Sequence, residues 1–169
     1  MYQPKAVYES LFETAWKTVY CFAKDPKHLG AKAGMIAILH TWGQQLSLHP
    51  HRHCMVPGGG LTKNGKCKTA KVQGKFLFPV KAMSKVFRAK YLQALKSRTQ
   101  PEKELINALF QKEWVVYAKR PFGHPKAVLE YLGRYSHKVA ISNHRILDID
   151  TQNITFSYKD YRQGEKSWK

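Results

Sequence analysis

Two short apolar segments joined by a glycine-containing turn decide the fold, because residues 35–56 read MIAILHTWGQQLSLHPHRHCMV. The first segment, MIAILHTW (35–42), is bounded by Gly34 and Gly43, which is typical of a buried strand. The second, HRHCMV (51–56), precedes the turn-forming run PGGGLTKNGK. The pattern predicts two adjacent strands of one sheet.

The second segment carries a histidine pair. Side chains at i and i+2 of a strand point to the same face, so His51 and His53 are expected to project together while Arg52 faces the opposite way. Two imidazoles on one face are two potential metal ligands, and His40, near the end of the neighbouring strand, is within reach as a third. His49 shares the face but precedes a proline, which weakens its place in a strand ladder.

The identity of a bound metal is left open by the ligands, because imidazole suits Zn, Mn, Fe, Ni or Co, whereas Mg prefers oxygen ligands. Surface imidazoles without a metal are the alternative.

Apolar periodicity predicts helices and further strands around these segments. The predicted helices are 7–23, 81–98, 101–113 and 124–139. Further strands are predicted at 75–80, 114–119, 139–142, 144–150 and 153–161. This order of elements indicates an α+β fold in which an antiparallel sheet of about five strands is covered by helices.

The charge of the chain points to a partner. The 169 residues include 29 Lys and Arg against 11 Asp and Glu, a net charge of +18. Nucleic acid is the partner this excess favours, because the positive charge is spread over the whole length and is not gathered on one membrane-binding helix. No apolar run approaches the roughly 20 residues that span a bilayer, and no signal segment is visible. We expect a cytoplasmic, globular protein whose three separate cysteines are reduced.

Two tyrosines occupy one face of the last predicted helix. Tyr131 and Tyr135 are four residues apart, a spacing that is also common in ordinary core packing. Together with the histidines and the charge, aligned phenols fit DNA strand transfer through a phosphotyrosine, with a bound metal polarising the scissile phosphate. Arg134 and Lys138 lie beside them in sequence and are expected to favour phenolate and to contact DNA.

The helix predicted at 81–98 is rich in Lys and Arg. Lys85 and Arg88 are candidates for contact with a DNA backbone, and Phe87 and Tyr91 for stacking on bases. The alternatives are a solvated basic face and a pair of core aromatics.

The stretches HTWGQQLSLHPHRHCMVPGGG and YLGRYSHKVAISNHRI together resemble the rolling-circle transposases of bacterial insertion sequences, which belong to the HUH endonuclease superfamily. The resemblance covers about residues 7–162. It implies an HUH endonuclease-like antiparallel sheet, a histidine pair (His51 and His53) that binds Mg or Mn, and a tyrosine (Tyr131 or Tyr135) that becomes linked to a 5′ phosphate. The implied partner is single-stranded DNA, at hairpins or insertion-sequence ends.

The resemblance also indicates which parts of a family member residues 1–169 are expected to include. Members of the superfamily usually have a hydrophobic residue where this chain has Arg52, and they carry a zinc-binding segment before the nuclease domain and more sequence after it. We therefore expect residues 1–169 to form a single catalytic domain without those flanking parts, and Arg52 to be exposed or paired. Two other functions fit the residues: a non-enzymatic module that binds single-stranded nucleic acid, and a zinc-histidine hydrolase.

Overall fold

A computed structural model of the chain describes residues 3–43, 45–70, 76–136, 140–160 and 167–168. The chain divides into two compact units. The first unit consists of Met1–Ile36 and Met55–Gly123, and the second of Ala37–Cys54 and His124–Lys169.

The chain contains α-helices and short strands, with one turn of 3₁₀-helix at Asn143–Arg145. In chain order the other elements are α1 (Pro4–Lys24), β1 (Ile36–Trp42), β2 (Leu48–Met55), β3 (Gly59–Leu61), β4 (Cys67–Thr69), α2 (Val80–Thr99), α3 (Lys103–Gln111), α4 (Pro125–Ser136), β5 (Ile146–Ile149), β6 (Ile154–Phe156), β7 (Lys159–Asp160) and β8 (Ser167–Trp168). The α+β class is confirmed, and so are the four predicted helices and the two strands that carry the histidines. In the described residues the strands are hydrogen-bonded in pairs, β1 with β2, β3 with β4, β5 with β6 and β7 with β8, and not in one sheet of about five.

Three predicted strands are not strands in the residues that are described. The apolar run predicted at 75–80 bends at 76–78 and enters α2 at Val80, because Phe78 is anchored in the core and Pro79 precedes the helix. In the strand predicted at 139–142, residues 140 and 141 form a bend and residue 142 has no regular structure. Lys75 and Val139 lie outside the described residues.

The strand predicted at 114–119 has no strand partner among the described residues. Its side chains do alternate in exposure, and Val115 and Tyr117 are 89% and 79% exposed. Local contacts hold its start in another way: the indole of Trp114 donates to the Leu109 carbonyl, and the Trp114 carbonyl accepts from the Ser84 hydroxyl. A period-2 pattern specifies an extended backbone, but a ladder also needs a hydrogen-bonded neighbour.

Packing of α1 along α2 organises the first unit. The buried residues of α1 include a polar stripe, Ser10, Thr14 and Thr18, which are at most 2% exposed. Each hydroxyl donates to the carbonyl four residues earlier in the same helix, at 2.6–2.7 Å. Each of these three hydroxyls therefore keeps a partner within α1 although it is buried.

Two apolar clusters complete this unit. One is formed by the buried residues Val19, Ala23, Leu29, Ala31, Ala33 and Phe78. The other joins α2 to α3 through Tyr91, Leu92, Leu95 and Ile106, with Phe87 and Trp114 packed against it. Tyr91 is therefore a core residue and Phe87 is partly buried against the same cluster, as in the alternative that the sequence left open.

A short hairpin lies where the sequence indicated only turns. Strand β3 pairs antiparallel with β4, and Gly65 turns the chain between them at φ 72°. Leu61 of β3 also exchanges backbone hydrogen bonds with Lys32, at 2.8 and 2.9 Å. Gly60 lies against this contact, so a Cβ there would clash with the Lys32 carbonyl. The glycine run therefore allows a close approach between two backbone segments.

This approach leads to a stability prediction. Gly60→Ala is expected to lower the free energy of unfolding by about 1–3 kcal/mol, because the clash is with backbone and cannot be relieved by rotating a side chain. The measurement is urea unfolding followed by circular dichroism. Gly58→Ala is the matched control, since a Cβ at Gly58 meets nothing within 4 Å. Equal stability of the two variants would contradict the proposed packing.

Candidate metal and tyrosine site

The second unit brings three histidines together. His40 lies near the end of β1, and His51 and His53 lie on one face of the paired strand β2. All three are half-buried, and one ligand atom from each lies within 4.8 Å of the others. Three imidazole nitrogens at this spacing suit a single metal ion after small ring rotations, since metal–nitrogen bonds are about 2.0–2.1 Å long.

Backbone hydrogen bonds orient two of these rings. His51 Nδ1 lies 2.8 Å from the His49 carbonyl, and His40 Nε2 lies 3.0 Å from the Tyr135 carbonyl. A carbonyl only accepts, so each of these nitrogens donates and the other ring nitrogen carries the lone pair. The nitrogens that could bind a cation are thereby His51 Nε2 and His40 Nδ1. A donated second N–H of this kind is usual for histidines that bind metals.

Helix α4 presents both tyrosines to the histidines. The helix begins at Pro125, and the Ala127 N–H donates to His124 Nδ1 at 3.2 Å in its first turn. Tyr131 and Tyr135 are one turn apart, with ring centroids separated by 4.4 Å. The Tyr131 hydroxyl is 2.9 Å from His53 Nδ1. The centroid of the Tyr135 ring lies 4.0 Å from that of the His53 ring and 5.3 Å from that of the His40 ring. The five side chains therefore form one cluster, which we call the His–Tyr cluster.

The environment of Tyr131 keeps its phenol protonated at neutral pH. Burial raises the pKa of Tyr131, and the nearby ionisable groups of Tyr135 and Cys54 raise it further. A phenolate at this position therefore needs positive charge beside it, which a cation at the three histidines would supply.

The predicted DNA-binding residues lie in different places. Arg134 is exposed on α4, where its Nε donates to the Glu130 carbonyl at 3.3 Å. Lys138 lies outside the described residues. Lys85 and Arg88 lie on α2 in the first unit, Lys85 exposed and Arg88 half-buried.

Arg88 is engaged within the first unit. Its guanidinium carbon lies 4.6 Å from the centre of the Phe110 ring, and Nη1 donates to the Lys112 carbonyl at 2.9 Å. These contacts connect α2 to the end of α3.

Trp42, for which the sequence predicts no role, borders the His–Tyr cluster. Its ring stacks on His40 at a centroid distance of 5.7 Å and an interplanar angle of 14°. Trp42 follows His40 by two residues in β1, so the period-2 rule that grouped His51 with His53 also places it on the face of His40. The indole ring of Trp42 thus flanks the cluster on the side of His40.

Arg52 occupies the opposite face of β2, as the alternation predicts. The guanidinium is half-buried and lies against the Cys54 side chain, two residues further along the same face. Burial lowers the pKa of Arg52, and the neighbouring Cys54 opposes this effect. Arg52 thus faces away from the histidines, half-buried and beside Cys54.

Comparison with known proteins identifies the family. A family model described as "Putative transposase" (Y2_Tnp) matches residues 34–169. The chain belongs to this transposase family. The matched range includes β1, β2 and α4, so the whole His–Tyr cluster lies in the family-defining part of this transposase sequence. The resemblance to insertion-sequence transposases drawn from the two motifs is confirmed.

Two relatives support the assignment. The transposase chain is 43% identical to "Putative transposase y4qJ" of Sinorhizobium fredii (strain NBRC 101917 / NGR234), over 98% of this chain and 46% of that protein. It is 28% identical to "Transposase for insertion sequence element IS801" of Pseudomonas savastanoi pv. phaseolicola, over 80% of this chain and 36% of that protein. The chain thus spans less than half the length of these relatives. No solved structure matches it. Among the described residues, no helix is long and apolar enough to cross a bilayer.

Proposed function

We propose that this chain is the catalytic region of a transposase that cleaves single-stranded DNA and rejoins it through a 5′-phosphotyrosine, with a divalent cation held by His40, His51 and His53. The observation that carries the proposal is the 2.9 Å contact between the Tyr131 hydroxyl and His53 Nδ1. This contact puts a nucleophile directly beside a candidate metal ligand. The net charge of +18 suits a DNA substrate.

The three histidines fit a divalent cation by donor chemistry. Two of the rings already have their second nitrogen bound to a carbonyl, so their lone pairs are directed by the fold. Imidazole donors favour Mn over Mg, which prefers oxygen. When bound, the cation would polarise the scissile phosphate and offset the charge that develops there.

The His53–Tyr131 contact gives Tyr131 a specific role. With Nε2 of His53 as the ligand atom, Nδ1 carries the hydrogen and donates it to the Tyr131 oxygen. A donor aimed at that oxygen stabilises the phenolate more than the phenol. It thus opposes the effect of burial, which raises the pKa of Tyr131. His53 thereby favours the nucleophilic form of the tyrosine.

The transfer step balances without a further reactant. The Tyr131 oxygen forms a bond to phosphorus, the bond from phosphorus to the 3′ oxygen breaks, and the phenol proton passes to solvent. The departing 3′ oxygen takes up a proton and becomes a free hydroxyl. The phosphotyrosine bond conserves the energy of the cleaved linkage, so a DNA hydroxyl can reverse the step and reseal the strand. Tyr135, one turn away, offers a second such intermediate.

An adduct assay tests this function. The protein is incubated with Mn²⁺ and a labelled pool of random-sequence single-stranded oligonucleotides, and a protein–DNA adduct that survives denaturation is measured on a gel. We expect the adduct in the wild type, none in the Tyr131→Phe/Tyr135→Phe double variant, and wild-type amounts in Tyr117→Phe, a matched change at an exposed tyrosine of the first unit.

The same assay separates the alternatives. Binding of the oligonucleotides without any adduct would select a non-enzymatic binding module. Cleavage without an adduct, unaffected by the loss of both tyrosines, would select a zinc-histidine hydrolase.

A further inference from the structure

His40 contacts the end of the helix that carries the tyrosines. Its Nε2 donates to the backbone carbonyl of Tyr135, the second-last residue of α4. The last four carbonyls of a helix lack partners within the helix and need an outside donor. His40 supplies one across 95 residues of sequence. It therefore caps α4 from β1.

The same ring offers its other nitrogen to the histidine cluster. Trp42 stacks on one face of the His40 ring, and the Tyr135 carbonyl fixes the hydrogen on Nε2. A neutral imidazole has one N–H hydrogen, so Nδ1 is left with the lone pair that a cation needs. The helix contact and the cation thus require the same tautomer of His40.

We infer that His40 is a positioning residue that couples cation binding to the docking of α4, so that both phenols are held at the site when the cation is bound. The inference rests on the cation site of the proposed function. A cation at Nδ1 excludes the tautomer with hydrogen on that atom, which is the tautomer unable to donate to Tyr135. Coupling of this kind is reciprocal, so a docked α4 also raises the affinity for the cation.

His51 provides a contrast within the same cluster. Its second nitrogen donates to the His49 carbonyl in its own strand, and not to a carbonyl of α4. Loss of His51 removes a ligand without removing the cap of the helix. The two histidines are thus separable by experiment.

The test combines two measurements on the full chain. Titration calorimetry reports binding of Mn²⁺, and hydrogen exchange reports the protection of the α4 amides with and without Mn²⁺. In the wild type, saturating Mn²⁺ is expected to slow exchange of the last turn of α4 by about fivefold or more, which corresponds to the usual range of coupling between sites.

Three variants distinguish coupling from a merely structural role. His40→Ala is expected to speed up α4 exchange without Mn²⁺, whereas His51→Ala is expected to leave that exchange unchanged while weakening Mn²⁺ binding. His40→Gln keeps an N–H donor at the reach of Nε2 but no ligand atom at Nδ1. It should therefore retain most of the metal-free protection and lose the response to Mn²⁺.

The outcomes are distinguishable from those of the adduct assay. Binding of Mn²⁺ to the wild type with unchanged α4 exchange would overturn the coupling and leave the cation site intact. Failure of Mn²⁺ to bind would overturn both. Slower α4 exchange with Mn²⁺ in a protein that forms no DNA adduct would support the coupling while the phosphotyrosine chemistry fails.

Discussion

Tyr131→Phe is expected to lower the initial rate of adduct formation with single-stranded DNA by about a thousandfold or more, the scale on which enzymes lose activity with their nucleophile. The variant keeps the ring and its packing against His53 and Tyr135 and removes only the hydroxyl that lies 2.9 Å from His53 Nδ1. The measurement is the time course of the denaturation-resistant adduct at saturating Mn²⁺.

Tyr135→Phe is the internal comparison for this prediction. Tyr135 packs its ring on His53, but the hydrogen bond to that imidazole is made by Tyr131. We therefore expect Tyr135→Phe to retain a first adduct and to lose later strand joining. A first adduct that depends on Tyr135 and is indifferent to Tyr131 would reverse the assignment of the two nucleophiles.

His53→Ala is expected to produce the second large effect. The change removes a candidate ligand atom and the partner of the Tyr131 hydroxyl together. The dissociation constant for Mn²⁺ should rise by about 100-fold or more, because even outer partners of metal ligands contribute about 10–100-fold. Adduct formation should be lost in the same variant, and titration calorimetry with the adduct assay checks both.

His49→Ala is the matched control for His53→Ala. His49 lies in the same strand and on the same face, but it contributes no ligand atom to the group of three. Its hydrogen bond with His51 is made by the backbone carbonyl, which alanine retains, and the change removes only a ring contact with His51 at a centroid distance of 5.1 Å. Wild-type affinity is expected for this variant. An equal loss of Mn²⁺ binding in the two variants would show that the strand, and not the ligand, was disturbed.

Local periodicity accounts for most of what the sequence revealed. The i, i+2 rule grouped His51 with His53 and set Arg52 apart, and the i, i+4 rule put Tyr131 and Tyr135 on one helix face. The placement of His40 beside them followed from expecting two adjacent strands. Patterns within single elements thus predicted which residues share a face, whereas the meeting of the tyrosines with the histidines was expected from the conjunction of these features and from the family resemblance.

Contacts between distant segments could not be predicted in this way. The bond from His40 to Tyr135 and the exchange of hydrogen bonds between Lys32 and Leu61 depend on backbone atoms that every residue carries. The prediction of a strand at 114–119 was wrong for a related reason, since a side-chain pattern does not specify which strand will pair with the segment. Periodicity describes one segment at a time, and pairing is a property of two.

The stripe of Ser10, Thr14 and Thr18 has a consequence for the substitutions that the contact between α1 and α2 can accept during evolution. Each hydroxyl donates to the carbonyl four residues earlier, and Ser10 also accepts a 3.5 Å bond from Arg98 of α2. Since the hydroxyls of Thr14 and Thr18 are used within α1, the two helices are fitted at these two positions mainly by shape. Valine, which is close to threonine in volume but lacks the hydroxyl, should be tolerated at Thr14 and Thr18, whereas a larger side chain would push the helices apart. Mutational drift can therefore exchange polar for apolar residues at this seam while the spacing of the two helices stays fixed.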